Sequence, residues 1–332
     1  MVKIIAEAGI NHNGNLALAR ELVNVARQSL ADAVKFQTFD PKKLVTQWAP
    51  LASYQEQNLG HGGYQHQMLE SVRLSESDHM DLKNLCDDVG IEFMSTPFDE
   101  KSLDFLLQLG CKTIKISSGD LTNIFLLEAV ARENLQTILS TGMAEEREIV
   151  DAMNCLTRGG LSSTNLTLLH CTTEYPCPIE DVNLNAIPEM RIKFGVDIGY
   201  SDHTDGISVA VAAVALGATV IEKHFTLDRN ESGPDHKASL EPKQLTEMIT
   251  AIRDIELALG DGVKRSMPSE QKNSVAARKS LVASRAIMEG EVFSRDNLTA
   301  KRPGDGLNPM SLSEVIGSPA SRDYKADEQI ER

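Results

Sequence analysis

Residues 196–236, VDIGYSDHTDGISVAVAAVALGATVIEKHFTLDRNESGPDH, decide the architecture. Two apolar strand-like runs, VDIGYS and ATVIEKHF, each lead into a histidine, and GISVAVAAVALG between them has helical periodicity. Read as strand, helix, strand, the stretch sets His203 just past one strand end and His224 at the next. In a parallel barrel such ends lie side by side on the face where active sites are built. Period-two alternation points Glu222 the same way as His224. A lone histidine at a strand end is more often structural. Two imidazoles and a carboxylate at one mouth have the composition of a metal site.

Working outward, the same alternation repeats. MVKIIAEAG opens as a strand, residues 16–31 have helical spacing, and AVKFQTF is a second strand. IEFMSTPF, CKTIKISSGD, QTILSTGM and LTLLHCTTEYP follow as strands with helical runs between them, and EPKQLTEMITAIRDIELALG closes the series. Ser75 and Gly90 bracket one of these helices as N-cap and stop. Eight β/α units predict an α/β fold, a (β/α)8 TIM barrel over 1–262. An open doubly wound sheet is second choice, because AEAGINHNG lacks the spacing of a nucleotide-binding glycine turn. Residues 40–75 form an insertion rich in Gln, Gly and His, which Pro50, Gly60, Gly62 and Gly63 break up. Residues 263–279 are polar and basic and read as a linker or docking segment. Over 280–332, short strands with glycine turns and one short helix predict a small domain that leans on another surface.

Composition narrows the function. Of 332 residues, 41% are hydrophobic and 24% charged, as in ordinary soluble proteins. A net charge of −15 argues against nucleic-acid partners, which need a basic face. An anionic small substrate then requires a local cationic pocket. No apolar run approaches the roughly 18 residues of a membrane span, and the start has no signal-peptide pattern. The five cysteines have no zinc spacing and read as reduced thiols, so the expected location is cytoplasmic.

Each strand end contributes something polar. Glu7 ends the first strand, and Lys35 and Gln37 share one inward face of the second. Thr96, then Lys115 with Ser118, then Ser140 and Ser201 follow on later strands, and Tyr175 lies just beyond the sixth. A lysine pointing into a barrel is costly unless it is paired or faces an anion. Lys35 and Lys115 beside Ser-Gly and Thr-Gly turns therefore suggest a phosphate or carboxylate pocket. The alternative is that the lysines pair with Glu7 or Glu222, or snorkel to solvent. By ligand type, His203 and His224 suit Mn2+, Zn2+ or Fe2+, with positions left open for water and substrate.

AEAGINHNG, VKFQTF, FMSTPFDE, KISSGD, LSTGM, LHCTTEYPCP, YSDHT, EKHFTLD, SGPDH and KRPGDG together resemble the sialic acid synthases, in order over nearly the whole chain. The resemblance implies a TIM barrel followed by an antifreeze-like (SAF) domain. It also implies condensation of phosphoenolpyruvate with an N-acetylated mannose-type sugar, releasing phosphate by C–O cleavage. It makes His203 and His224 the ligands of Mn2+ or Mg2+ and Glu7 the catalytic carboxylate. Lys35, Thr96, Lys115, Ser118, Ser140 and Ser201 become phosphoenolpyruvate contacts. Gln37, Tyr175 and Asp235 become sugar contacts, and Glu222 is grouped with them. Arg302, in KRPGDG, matches an arginine lent to the partner's site, which implies a homodimer whose small domain caps the other barrel. Some relatives have Asn where this chain has Thr173, which bears on the sugar more than on the reaction. N-acetylmannosamine, giving N-acetylneuraminate, is the expected acceptor. The alternatives are 2,4-diacetamido-2,4,6-trideoxymannose, giving legionaminate, and the altrose-type sugar of pseudaminate. A sugar phosphate would need a second basic cluster, which the sequence lacks. A non-catalytic sugar-binding protein would have no use for an electrophilic metal.

Overall fold

Eight short apolar runs become strands β1 (Lys3–Gly9), β2 (Ala33–Thr38), β3 (Glu92–Pro97), β4 (Thr113–Ile116), β5 (Gln136–Ser140), β6 (Leu166–His170), β7 (Asp197–Asp202) and β8 (Val220–His224). The computed structural model describes residues 1–60 and 62–331. The strands form one sheet in the order β3-β2-β1-β8-β7-β6-β5-β4, and β3 runs beside β4. β1 pairs in parallel with both β2 and β8, as a barrel requires. The (β/α)8 expectation holds. The helices are set by their ends: Ser75 and Asp78 form a capping box for Glu76–Val89, and Gly90 stops it at φ 76°.

Alternation sorts the strand residues into layers. Outward side chains join a large core under the helices, including Ile4, Leu22, Phe36, Leu82, Ile114, Leu168 and Ile198. Inward, Ile5, Ala33, Met94, Ile138, Leu169 and Val220 form an apolar plug across the barrel. One step further along seven of the eight strands the inward positions turn polar: Glu7, Lys35, Thr96, Lys115, Ser140, Ser201 and Glu222 are all buried. The plug makes the barrel a closed cup, so polar chemistry is confined to the C-terminal end of the strands.

The insertion differs from its expected irregularity. It contains three short helices, Pro41–Leu44, Ser53–Leu59 and Gln65–Val72. The Asp40 side chain caps the first, and Gly60 ends the second at φ 75°. Each is too short to show an apolar period in sequence. Ile10, Phe39, Leu69 and Val72, with Leu44, Met68 and Phe98 packed against them, pin the insertion to the barrel. Asn58 Nδ2 also donates to the Pro234 carbonyl at 2.6 Å.

Two compact units are present, Met1–Gly260 and Asp261–Arg332. Arg332, the last residue of the expected small domain, lies outside the described residues. In the second unit β9 (Ser280–Ala283) pairs antiparallel with β10 (Leu298–Lys301) around a core that includes Leu281, Ile287, Phe293 and Tyr324. The stretch read as a linker is helical at Gln271–Ala277 and belongs to this unit, where Gly304 N–H donates to the Val275 carbonyl at 2.7 Å. No helix among the described residues is long and apolar enough to cross a membrane.

Two features behind the mouth fix its geometry. Gly199 has no room for a side chain, since a Cβ there would sit 2.5 Å from Leu169 Cδ2 and from the Val220 carbonyl oxygen. Asp202 and Lys223, both fully buried, pair at 2.9 Å in the outer layer. Lys223 Nζ also donates to the Thr204 carbonyl, and Asp202 Oδ1 accepts from Thr204 N–H and Oγ1. The pair ties together the ends of β7 and β8, next to His203 and His224. Gly199→Ala is expected to cost about 1–3 kcal/mol through overpacking, measured by urea titration. Lys223→Met leaves Asp202 charged and unpaired and is expected to cost about 3–5 kcal/mol in the same titration. Much of that loss should return in the Lys223→Met/Asp202→Leu double variant.

Candidate active site

The inward polar layer forms the floor of a cavity of about 440 Å3 at the barrel mouth. Both lysines are ion-paired there, as the alternative reading of the sequence had it. Lys35 Nζ lies 2.7 Å from Glu7 Oε2 and 3.6 Å from Glu222 Oε2, and Lys115 Nζ lies 3.8 Å from Glu222 Oε1. Lys35 also donates to Thr96 Oγ1 at 3.0 Å and Lys115 to Ser140 Oγ at 2.7 Å. Ser201 Oγ donates to Glu222 Oε1 at 3.1 Å. Glu222, grouped with the sugar contacts in the sequence, thus sits between the two lysines.

The two carboxylates are driven apart electrostatically. Burial pushes Glu7 up to about 7 against the pull of Lys35. Burial also opposes ionisation of Glu222, but Lys115 and Lys35 hold it down to about 2. At neutral pH Glu222 is charged, and Glu7 is poised to hold or release a proton.

Above the floor stand the imidazoles, with ring centroids 5.5 Å apart. Burial lowers His203 to about 4 and His224 well below its ordinary range, so both are neutral. His203 Nδ1–H donates to the Thr172 carbonyl at 2.7 Å, which leaves the lone pair on Nε2. His224 Nδ1 is buried with no hydrogen-bond partner among the described residues and lies 3.9 Å from Asp235 Oδ2. Two neutral imidazoles, one orientated through its second nitrogen and the other unpartnered, fit a divalent cation. No group of three or more His, Cys, Asp or Glu placed to hold one occurs among the described residues. Tyr175 covers the site, its ring 4.1 Å from that of His203.

Ser118, Gln37 and Asp235 also line the cavity. Burial raises Asp235 to about 6. Gly142 N–H donates to Ser118 Oγ at 3.0 Å, and a Cβ on Gly142 would lie 2.2 Å from Thr173 Oγ1. Thr173 Oγ1 is buried with no hydrogen-bond partner among the described residues, which suits a hydroxyl facing a ligand. Gly9 ends β1 at φ 54°, and a side chain there would fill space between Glu7 and His224. Arg302 lies in the second unit, where its Nε donates to the Ala277 carbonyl at 3.0 Å. Sequence reasoning missed the insertion's share of the cavity: Leu44, Tyr54, Gln55, Met68 and Leu69 all line it.

The NeuB family model matches residues 22–264, and the SAF domain model matches 278–331. The N,N'-diacetyllegionaminic acid synthase of Campylobacter jejuni is 50% identical, over 98% of this chain and 98% of its own. That of Legionella pneumophila is 45% identical, over 97% and 91%. The pseudaminic acid synthase of C. jejuni is 36% identical, over 100% and 96%. Among solved structures, the N-acetylneuraminic acid (sialic acid) synthetase of Leptospira borgpetersenii superposes with a TM-score of 0.73 at 36% identity, covering 82% of this chain and 90% of that one. The buried lysine–glutamate floor and paired imidazoles are thus carried by a chain that belongs to the NeuB family of sialic-acid-type synthases, a barrel enzyme with a C-terminal SAF domain.

Proposed function

We propose that the protein condenses phosphoenolpyruvate with 2,4-diacetamido-2,4,6-trideoxymannose to give an N,N'-diacetyllegionaminate-type ulosonic acid and phosphate. The observation that carries this reading is the 50% identity, end to end, with a synthase named for that product. N-acetylmannosamine, the acceptor expected from sequence, becomes the second choice, because the synthetase named for N-acetylneuraminic acid is 36% identical. The cavity supports an uncharged sugar. Its only cationic side chains among the described residues are Lys35 and Lys115, and both are committed to the floor.

In this reading the floor holds phosphoenolpyruvate. Lys35 and Lys115 face its anionic groups, with Thr96, Ser118, Ser140 and Ser201 donating around them. Glu222 keeps the lysines in place between substrates. A divalent cation, Mn2+ or Mg2+, on His203 and His224 would supply Lewis-acid polarisation of the acceptor's aldehyde. Carbon 3 of phosphoenolpyruvate attacks the aldehyde carbon, forming the C–C bond, while the enol π bond moves to leave carbon 2 electron-poor. The aldehyde oxygen takes a proton and becomes a hydroxyl. Water adds to carbon 2 and gives up a proton, after which the C–O bond to phosphate breaks. Glu7 is the group matched to these proton transfers, since its carboxyl titrates near neutrality. Gln37, Tyr175 and Asp235 orient the sugar. Arg302 of a second subunit closes the site in a homodimer.

Phosphate release from phosphoenolpyruvate with Mn2+ tests the reading. The diacetamido sugar is expected to be the preferred acceptor. Preference for N-acetylmannosamine would return the assignment to N-acetylneuraminate, and no release with either sugar would contradict it. Chelation with EDTA should abolish release and added Mn2+ restore it. His203→Ala should lose turnover and Mn2+ binding by titration calorimetry while keeping the wild-type melting temperature. Full activity in that variant would remove the imidazoles from the metal assignment.

A further inference from the structure

The insertion between β2 and β3 supplies a wall of the cavity to which no role has yet been given. Its helix Ser53–Leu59 is fastened at one end by Asn58 on the Pro234 carbonyl, and it lays Tyr54 against Tyr175 with ring centroids 5.0 Å apart. Tyr175 in turn rests on His203. The order His203, Tyr175, Tyr54 therefore runs outward from the imidazoles along one side of the cavity.

Tyr54 is held as a donor. The Gln55 carboxamide oxygen accepts from Ala52 N–H at 2.9 Å, which turns Gln55 Nε2 toward the Tyr54 oxygen at 3.4 Å. The phenolic proton has no acceptor among the described residues. Burial raises the phenol further above its ordinary range, so it stays protonated. Leu44, Met68 and Leu69, from one apolar cluster, line the same cavity. A hydrogen-bond donor and apolar side chains lining one cavity match an acetamido group, which presents a carbonyl oxygen and a methyl together. In the proposed reaction the acceptor's C1 reacts beside the imidazoles, and C4 lies three carbons further along the sugar.

We propose that Tyr54 reads the second acetamido group of the acceptor, donating to its carbonyl while the methyl packs on Leu44, Met68 and Leu69. This rests on the function proposed above and extends it, making the insertion the element that separates diacetamido sugars from sugars with a C4 hydroxyl. An amide carbonyl gains a partner here. A C4 hydroxyl offers neither an amide carbonyl for Tyr54 nor a methyl for the apolar side chains.

The test compares kcat/KM for 2,4-diacetamido-2,4,6-trideoxymannose and for 2-acetamido-2,6-dideoxymannose, at saturating phosphoenolpyruvate and Mn2+, in wild type and Tyr54→Phe. The Phe variant keeps the ring on Tyr175 and removes only the hydroxyl. The wild type is expected to favour the diacetamido sugar by at least about 10-fold, and Tyr54→Phe to reduce that ratio about 10-fold, the effect of one lost hydrogen bond in a dry site. Met68→Gln, which makes the methyl's face polar, should reduce the same ratio. A wild-type preference that survives unchanged in Tyr54→Phe overturns the role of Tyr54 and leaves the proposed reaction standing. Equal use of both sugars by the wild type overturns selection by the wall. No turnover of either sugar overturns the proposed reaction and this inference with it.

Discussion

Four charges buried in one layer govern the rest of the barrel: Glu7, Lys35, Glu222 and Lys115, linked by contacts of 2.7–3.8 Å. Ionised groups in a protein interior survive only in compensation, and removing one partner leaves the other exposed to the full cost of desolvation. The chain meets this demand with equal numbers of each sign and with hydroxyls from Thr96, Ser140 and Ser201. The apolar plug of Ile5, Met94, Ile138 and Leu169 seals the layer from below, which leaves exchange with solvent or ligand to the mouth. Because Glu7 titrates near 7, the layer carries one more positive than negative charge when that carboxyl is protonated. A protein with a net charge of −15 can thereby present a cationic cup to an anion.

Much of this was legible in the sequence, for a definite reason. Period-two alternation fixes which residues of a strand share a face, so Lys35 with Gln37 and Glu222 with His224 could be placed together without a structure. Strand ends carry the same information in a barrel, which is why His203, Thr96 and Ser140 fell at the mouth. Side-chain pairing was harder to read. Alternation gives direction and not distance, so it left open whether the lysines faced a ligand or the glutamates. Asp202 and Lys223 passed unnoticed because their neighbours His203 and His224 drew the reading, although the same alternation sends them outward together.

The insertion shows another limit. Its helices span four, seven and eight residues, too few for an apolar period, and the first and third are organised by contacts with Ile10, Phe39 and Phe98. Tyr54 therefore looked like one more residue in a Gln-rich loop. The polar stretch after the barrel, read as a linker or docking segment, shows the same limit: its helix Gln271–Ala277 has no buried residues, so composition alone did not reveal it. Across the cavity the roles divide along this line. In the proposed reaction, residues on strands hold the reacting centre and were readable, whereas the insertion residues assigned to the variable end of the sugar were not.

The central claim is that the floor and imidazoles together promote attack by phosphoenolpyruvate followed by C–O cleavage. The most direct measurement uses phosphoenolpyruvate carrying oxygen-18 in the bridge between carbon 2 and phosphorus, with the diacetamido sugar and Mn2+. Mass spectrometry of the products should find the label in released phosphate and none of it in the ulosonic acid. Label retained on the sugar acid would mean that the P–O bond breaks instead, and the account of this site would be wrong.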